Sequence, residues 1–251
     1  LRSVVFRTCM SQTIELSKKS YLGKNSTLLK TGPGTNLIYE IILPEGVNID
    51  CDDFNRKTFS EKGRIKLRLE TLVNNYGARI EFRKAQSYRF FLYLRVMDGE
   101  MTQLLGNLLL IKYIKGYDDL KRCTEELASK DPFDYDIATY GNVYEHKVKR
   151  FLQSCAQGLT IEKLCLDIYD ATEDPIIVEY DGDIVCYSIY QLDKLRNFLF
   201  NNTKFVTAST GEDKEHPGHP RPDSKQKFFY GWLYKEDGHY YIKINLQIKI
   251  K

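Results

Sequence analysis

The chain of 251 residues has no C-x-x-C pair and no apolar run near the ~20 residues that a membrane-spanning helix takes. Its longest apolar run, Leu108 to Ile111, follows Leu104 and Leu105 but is cut off from them by Gly106 and Asn107. The first ten residues, LRSVVFRTCM, lack the long apolar stretch and small-residue cleavage site of a secretory leader. The expectation is a soluble, cytoplasmic protein. Six cysteines, at 9, 51, 123, 155, 165 and 186, have no zinc-site spacing and read as reduced, mostly buried thiols. Histidine is scarce, and two of the four, His216 and His219, sit in the loop-like stretch EHPGHPRPD, so zinc chemistry is not expected. No charge sign dominates: 37 Lys and Arg against 34 Asp and Glu leave a net +3, which names no partner. What is present, 42% hydrophobic and 28% charged residues, excludes a disordered or collagen-like chain. The length suits one large domain or two small ones, with a core that needs no covalent staples.

Charge is unevenly placed along the chain. From Phe54 to Arg95 stand eleven Lys or Arg against three Glu, and from Asp98 to Asp136 nine acids against five bases. A basic stretch inside a near-neutral chain suits a polyanion held on one face. It equally suits a solvated helix and strand.

Periodicity predicts an α/β (α+β) fold. TIELSKK (13–19) alternates, with Ile14 and Leu16 on one side and Glu15, Ser17 and Lys19 on the other, as in a strand with one polar face. TNLIYEIIL (35–43) is a second strand, closed by Pro44. Ile65, Leu69, Leu72, Val73 and Tyr76 fall at helical offsets between a Ser60 N-cap and a Gly77 stop. ARIEFRKA (78–85) reads as a strand, followed by helices near 96–115, 117–129, 143–157 and 160–166. The middle, about 60–166, is therefore mostly helical. The last part, about 176–251, is β-rich: a hairpin turning at Asp181–Gly182, a helix over 191–200, and a hairpin around Asp237–Gly238. No internal repeat is present, and the one linker-like stretch is a polar loop at about 210–227. The whole reads as a single domain, 1–251. Within IEFRK (80–84), Glu81 and Arg83 share a face and Lys84 takes the other, so a salt-bridged surface strand is expected rather than an E-x-K site.

Three ordered stretches resemble one family. ELSKKSYLGKNSTLLKTGPGTNLIYEI (15–41) is similar to the pattern FSIKSxLGxxxTLLNASxxTNFIYEI. IIVEYDGDIVCYSIYQLDKLRNFLFNNTKFVTAST (176–210) is similar to a strand–turn–strand, helix and NNTKFETAST. YGWLYKEDGHYYIKINLQIKIK (230–251) is similar to a closing YKEDGKYYFKLNLQIRF. The family is the HpaII-type restriction endonucleases, and the helices GNLLLIKYIKGYDDLKRCTEEL fit its middle as well. The resemblance implies a restriction-endonuclease-like mixed sheet flanked by helices. It also implies Mg²⁺-dependent hydrolysis of double-stranded DNA at a short palindrome such as CCGG, leaving 5′-phosphates. A cognate cytosine methyltransferase in the same system is implied, and a palindromic target favours a two-fold homodimer.

Cleaving a phosphodiester calls for positive charge where negative charge develops, supplied by a metal ion and a cationic side chain near the attacking water. The family's S-x-K maps onto Ser17 and Lys19, with period 2 putting both over one cleft, and Glu15 on the same face is the candidate metal ligand. Thr35 and Asn36 are short polar groups suited to a phosphate or base edge, and equally ordinary strand-initiating turn residues. Asn245 and Gln247, alternating with Ile244, Leu246 and Ile248, are candidate exposed amides for major-groove edges, or sheet caps. Ser209 and Thr210 begin a segment where the family carries S-T-S-R-H; here Gly211, Glu212 and Asp213 follow instead, and Arg221 is a substitute for the displaced arginine. Gly32–Pro33–Gly34 departs from the family's N-A-S.

Nucleases of this class carry a metal-binding Asp on a strand before the x-K strand, whereas residues 1–14 hold no Asp or Glu. The expectation is a chain shortened at its N-terminus, with Asp50, Asp52 and Asp53 as a compensating set on another loop that the spacing does not support. Two readings follow: an active endonuclease, or a DNA-binding remnant without catalysis.

Overall fold

The computed structural model describes residues 4–7, 13–20, 27–30, 32–58, 64–159, 174–178, 184–186, 192–207 and 230–251. Four strands, β1 (Val4–Arg7), β2 (Thr13–Ser20), β6 (Asp174–Val178) and β7 (Ile184–Cys186), are described by their backbone, and they form one sheet in the order β1-β2-β6-β7. This sheet is mixed: β2 runs antiparallel to β1 and parallel to β6, and β6 runs antiparallel to β7. A second sheet is antiparallel throughout, in the order β5 (Arg79–Ala85), β4 (Asn36–Ile42), β10 (His239–Asn245), β9 (Leu233–Glu236). A third and smaller one joins β3 (Thr27–Leu29), β11 (Ile248–Ile250) and β8 (Thr203–Phe205). The expected β/α mixture and mixed sheet are therefore present.

The core lies where the helical middle meets the second sheet. Strand β4 is buried on both faces for its first four residues, as its run Leu-Ile-Tyr dictates. Helix α4 (Met101–Lys115) is the innermost, with Leu104, Leu105, Leu108 and Leu109 fully buried. It comes close to the sheet at Gly106, where a Cβ would stand 2.5 Å from the Phe82 ring and where the Tyr39 hydroxyl donates to the Gly106 carbonyl at 2.8 Å. Burial pushes the Tyr39 phenol well above its ordinary pKa, so it stays a donor. Helix α4 stops at Gly116, whose φ of 73° only glycine takes readily.

The helix predicted near 96–115 is α4, starting at Met101, and a further helix that was not predicted stands before it. Helix α3 (Tyr88–Met97) precedes α4, and the break is made at Asp98, whose amide closes α3 on Leu94 O and whose carboxylate receives Glu100 N at 3.0 Å. Helix α3 starts at Ser87, whose Oγ accepts from Phe90 N. Helix α2 (Arg64–Tyr76) follows its predicted register, burying Ile65, Leu69 and Leu72 and stopping at Gly77, while Ser60 lies outside the described residues. Helices α5 (Leu120–Lys130), α7 (Val143–Ala156) and α8 (Leu192–Asn202) match their predicted positions to within a few residues. Each of the first two is capped by a side chain, Asp119 and Asn142. The predicted helix at 160–166 and the Asp181–Gly182 turn lie outside the described residues. The C-terminal hairpin turns where predicted, with φ of 49° at Asp237 and 85° at Gly238.

Helix α1 (Cys51–Lys57) was not anticipated. Asp50 is its N-cap, accepting from the amides of Asp52 and Asp53 at 2.9 Å each, and Asp53 pairs with Arg56 and Lys57. The acidic triplet at 50–53 is thus occupied in starting a helix. Between α3 and α7, Lys147 Nζ donates to Asp98 Oδ1 (3.0 Å), Glu100 Oε2 (2.7 Å) and the Tyr135 hydroxyl (2.6 Å), tying the α3–α4 turn and the 131–142 segment to α7. That lysine holds the Glu100 carboxyl below its usual range.

Candidate active site and nucleic-acid interface

Strand register brings the candidate catalytic positions to one face of the mixed sheet. Val5 pairs with Glu15, Val4 with Leu16, Leu16 with Asp174, Ser17 with Pro175 and Lys19 with Ile177. Paired residues share a face and neighbours along a strand alternate. Glu15, Ser17 and Lys19 therefore lie on one face together with Val5, Arg7, Pro175, Ile177 and Val185. The other face takes Val4, Phe6, Ile14, Leu16, Ile176, Val178, Ile184 and Cys186, a mostly apolar set, together with Lys18, Ser20 and Asp174. Glu15 is the single carboxylate on the S-x-K face among the described residues, since alternation puts Asp174 opposite.

A second cluster sits where β4 and β10 begin and end. Thr35, Asn36 and Asn245 are buried, Asn36 at 0% and Asn245 at 1% exposure. The Asn245 amide donates to Gly32 O (2.8 Å), Thr35 Oγ1 (3.1 Å) and Asn36 Oδ1 (2.7 Å), two hydrogens shared among three acceptors. Thr35 Oγ1 donates to Gly32 O at 3.1 Å, and Asn36 Nδ2 donates to Gln86 Oε1 at 3.0 Å. Leu246 N donates to Thr35 O and Gln86 N to Asn36 O, so backbone bonds hold the same corner. Asn245 Oδ1 is a buried acceptor with no partner among the described residues.

The exposure expected of Asn245 is corrected by this geometry. Its strand β10 pairs with β4 in the antiparallel sheet, and Leu246 just beyond it is bonded to Thr35 O, so its amide faces the 32–35 turn in the interior. The cluster predicts a measurable cost: Asn245→Ala strips donors from three buried acceptors and should lower stability by about 1–3 kcal/mol. A urea melt with an unchanged midpoint would show that the corner is held without it. Gln247 is partly exposed, its carbonyl accepting from Val206 N at 3.0 Å. Ser209, Thr210 and Arg221 lie outside the described residues.

The salt-bridged reading of β5 holds. Arg83 Nε is 2.5 Å from Glu40 Oε2, and Arg83 and Arg79 both pair with Glu81. Burial pushes the Glu40 carboxyl up, but His239 Nδ1 at 2.8 Å and Arg83 together bring it below its ordinary range. Arg68, counted above among the basic residues, has no exposed surface. It donates from Nε to Thr58 Oγ1 (2.7 Å), from Nη2 to Asn55 O (3.1 Å) and from Nη1 to Gly231 O, and its guanidinium lies 4.5 Å from the Trp232 ring centre. Helical spacing carries a signal for it: Arg68 stands three residues after Ile65 and four before Leu72, on the buried stripe of α2, whereas Lys66 and Glu70 lie off that stripe.

The family model of the HpaII restriction endonuclease matches residues 3–250. The chain belongs to the HpaII restriction endonuclease family. It is 29% identical, over 243 residues, to the type II restriction enzyme HpaII of Haemophilus parainfluenzae. That alignment takes in 97% of this chain and 62% of the enzyme, so the chain spans a little over three-fifths of the length of its curated relative. No solved structure matches. In the HpaII family a divalent ion is the expected cofactor. Among the described residues no three of His, Cys, Asp or Glu come together as a metal site, and the face bearing Lys19 supplies one carboxylate. That donor set falls short of a built cation site. Among them, too, no helix is long and apolar enough to cross a membrane.

Proposed function

We propose that the chain is the sequence-specific nuclease of a type II restriction–modification system. It hydrolyses phosphodiester bonds of double-stranded DNA at a short palindrome, with CCGG as the first site to test. The observation that carries this reading is the coincidence of the family match with the register of β2, in which Glu15, Ser17 and Lys19 share one face of the mixed sheet. In this reading the Lys19 ammonium stands by the scissile phosphate and offsets the charge that builds there. The Ser17 hydroxyl orients the attacking water beside it. Glu15 is the one carboxylate available toward Mg²⁺, which when bound supplies compensating positive charge at the phosphate. Thr35, Asn36 and Asn245 act from beneath, by fixing the 32–36 corner, while Gln247, Ser209 and Thr210 contact the DNA. The whole chain serves as one endonuclease domain in the cytoplasm, as a two-fold dimer on its palindrome, beside a cytosine methyltransferase that protects the host.

The test is a digest of methylation-free plasmid with Mg²⁺ and with EDTA. Discrete fragments in Mg²⁺ alone are the expected result, and their ends give the recognition sequence. Salt-sensitive duplex binding without cleavage would assign the chain to the remnant reading, and neither binding nor cleavage would overturn both.

A further inference from the structure

Eleven cations lie between Phe54 and Arg95, but the fold uses most of them internally. Arg56 and Lys57 pair with Asp53, Lys66 with Glu70, and Arg79 and Arg83 with Glu81 and Glu40, while Arg68 is buried. Three exposed cations with described side chains have no carboxylate partner among the described residues: Lys84, Arg89 and Arg95. Two of the three are on α3. That helix contains no acid, and its buried side is Phe90, Tyr93 and Leu94. Its outer side, at offsets of three, four and seven residues, carries Tyr88, Arg89, Leu92, Arg95 and Val96. Tyr88 is 70% exposed. Its ring stacks on Phe91 with 6.0 Å between centres, and the Arg95 guanidinium lies 5.8 Å from the Phe91 ring centre, so the stripe is pre-ordered. The start of α3 abuts the Pro33–Thr35 turn, and Gln86, just before the Ser87 cap, is bonded to Asn36.

Resting on the reading of the chain as a DNA-cleaving enzyme, we propose that the outer stripe of α3 is a duplex-DNA docking surface, with Arg89 and Arg95 on backbone phosphates and the Tyr88 hydroxyl donating to the same strand. Charge complementarity selects this occupant: two unneutralised guanidinium groups face solvent from a helix without one acid, and phosphate is the dense anion of the proposed substrate. The contacts position the duplex rather than read it. Affinity lost by removing them is therefore the same for cognate and unrelated duplexes.

The experiment is fluorescence anisotropy of a labelled duplex over about 50–200 mM salt with the full chain, Arg89→Ala/Arg95→Ala, and Arg56→Ala/Arg79→Ala as a control removing cations already paired. The α3 double variant is expected to bind on the order of tenfold more weakly and to lose about two from the slope of log K against log salt. The control is expected to match the parent. Equal losses in both variants, or a parental slope in the α3 variant, overturn the proposal. If the parent still cleaves in that case, the nuclease reading stands; if the parent binds no duplex, both fall. A Tyr88→Asp/Val96→Asp chain that loses dimer mass on sedimentation while binding DNA normally assigns the stripe to a second copy of the chain and overturns it as well.

Discussion

Lys19→Ala is expected to reduce cleavage by about 10²–10³ or more, the loss typical when one preorganised group facing the transition-state charge is removed. The substitution is also diagnostic in a second way. Lys19 lies on the face opposite Leu16 and Ile14, so truncating it removes no side chain from the apolar face of the mixed sheet. Duplex affinity and melting temperature should therefore stay close to the parent while kcat falls. Lys18→Ala, one residue away on the other face, is the matched comparison. Equal activity in the Lys19→Ala and parent chains would remove Lys19 from the reaction, and equal loss in Lys18→Ala and Lys19→Ala would point to a disturbed strand instead.

The largest stability effect is expected at Arg68. Its guanidinium joins α1, through Asn55 O, to Thr58 and to Gly231, and lies over Trp232 at the entry to the closing hairpin. Asn55 reinforces the same joint by exchanging two hydrogen bonds with the backbone of Leu233, at 2.8 and 3.0 Å. Arg68→Met keeps much of the packing volume but removes every donor from acceptors that water does not reach. A loss of about 2–5 kcal/mol is expected, since three neutral acceptors out of reach of water are each left short of a donor, at roughly 1–3 kcal/mol apiece before relaxation. Chemical denaturation reads it directly, and Arg68→Lys should restore only part, because an ammonium cannot reach three separated acceptors in one plane. A midpoint within experimental error of the parent would show that the joint is held by Asn55 and packing alone.

Local pattern made much of the fold legible. The alternation of 13–19, the i, i+4 spacing of Ile65 and Leu69 and the Asp-Gly turn at 237–238 are short-range signals, and each element formed where they point. Helix α3 was not legible because YRFFLYLRVM is dense in aromatics and carries no simple polar alternation. Only packing against the turn at 33–35 and β5 shows which of its rings are inside. The same holds at the candidate site. Spacing was enough to put Ser17 and Lys19 on one face. It could not show that Thr35, Asn36 and Asn245, more than two hundred residues apart in the last case, satisfy one another in the interior, since hydrogen-bond partners of that separation leave no local trace. Helical offset sets Arg68 on the stripe of Ile65 and Leu72, but its acceptors at Asn55, Thr58 and Gly231 leave no such local trace.

The parallel pairing of β2 with β6 also governs when the mixed sheet can be completed. Leu16 meets Asp174 only after the whole helical middle has been made and has carried the chain back across the sheet. Joining strands so far apart in sequence is entropically costly and slow. During synthesis β2 leaves the ribosome well ahead of β6, its parallel neighbour. A nascent chain of this kind carries β2 with one edge unpaired until the residues between Ser20 and Asp174 have been made, so the face with Lys19 is finished late in folding.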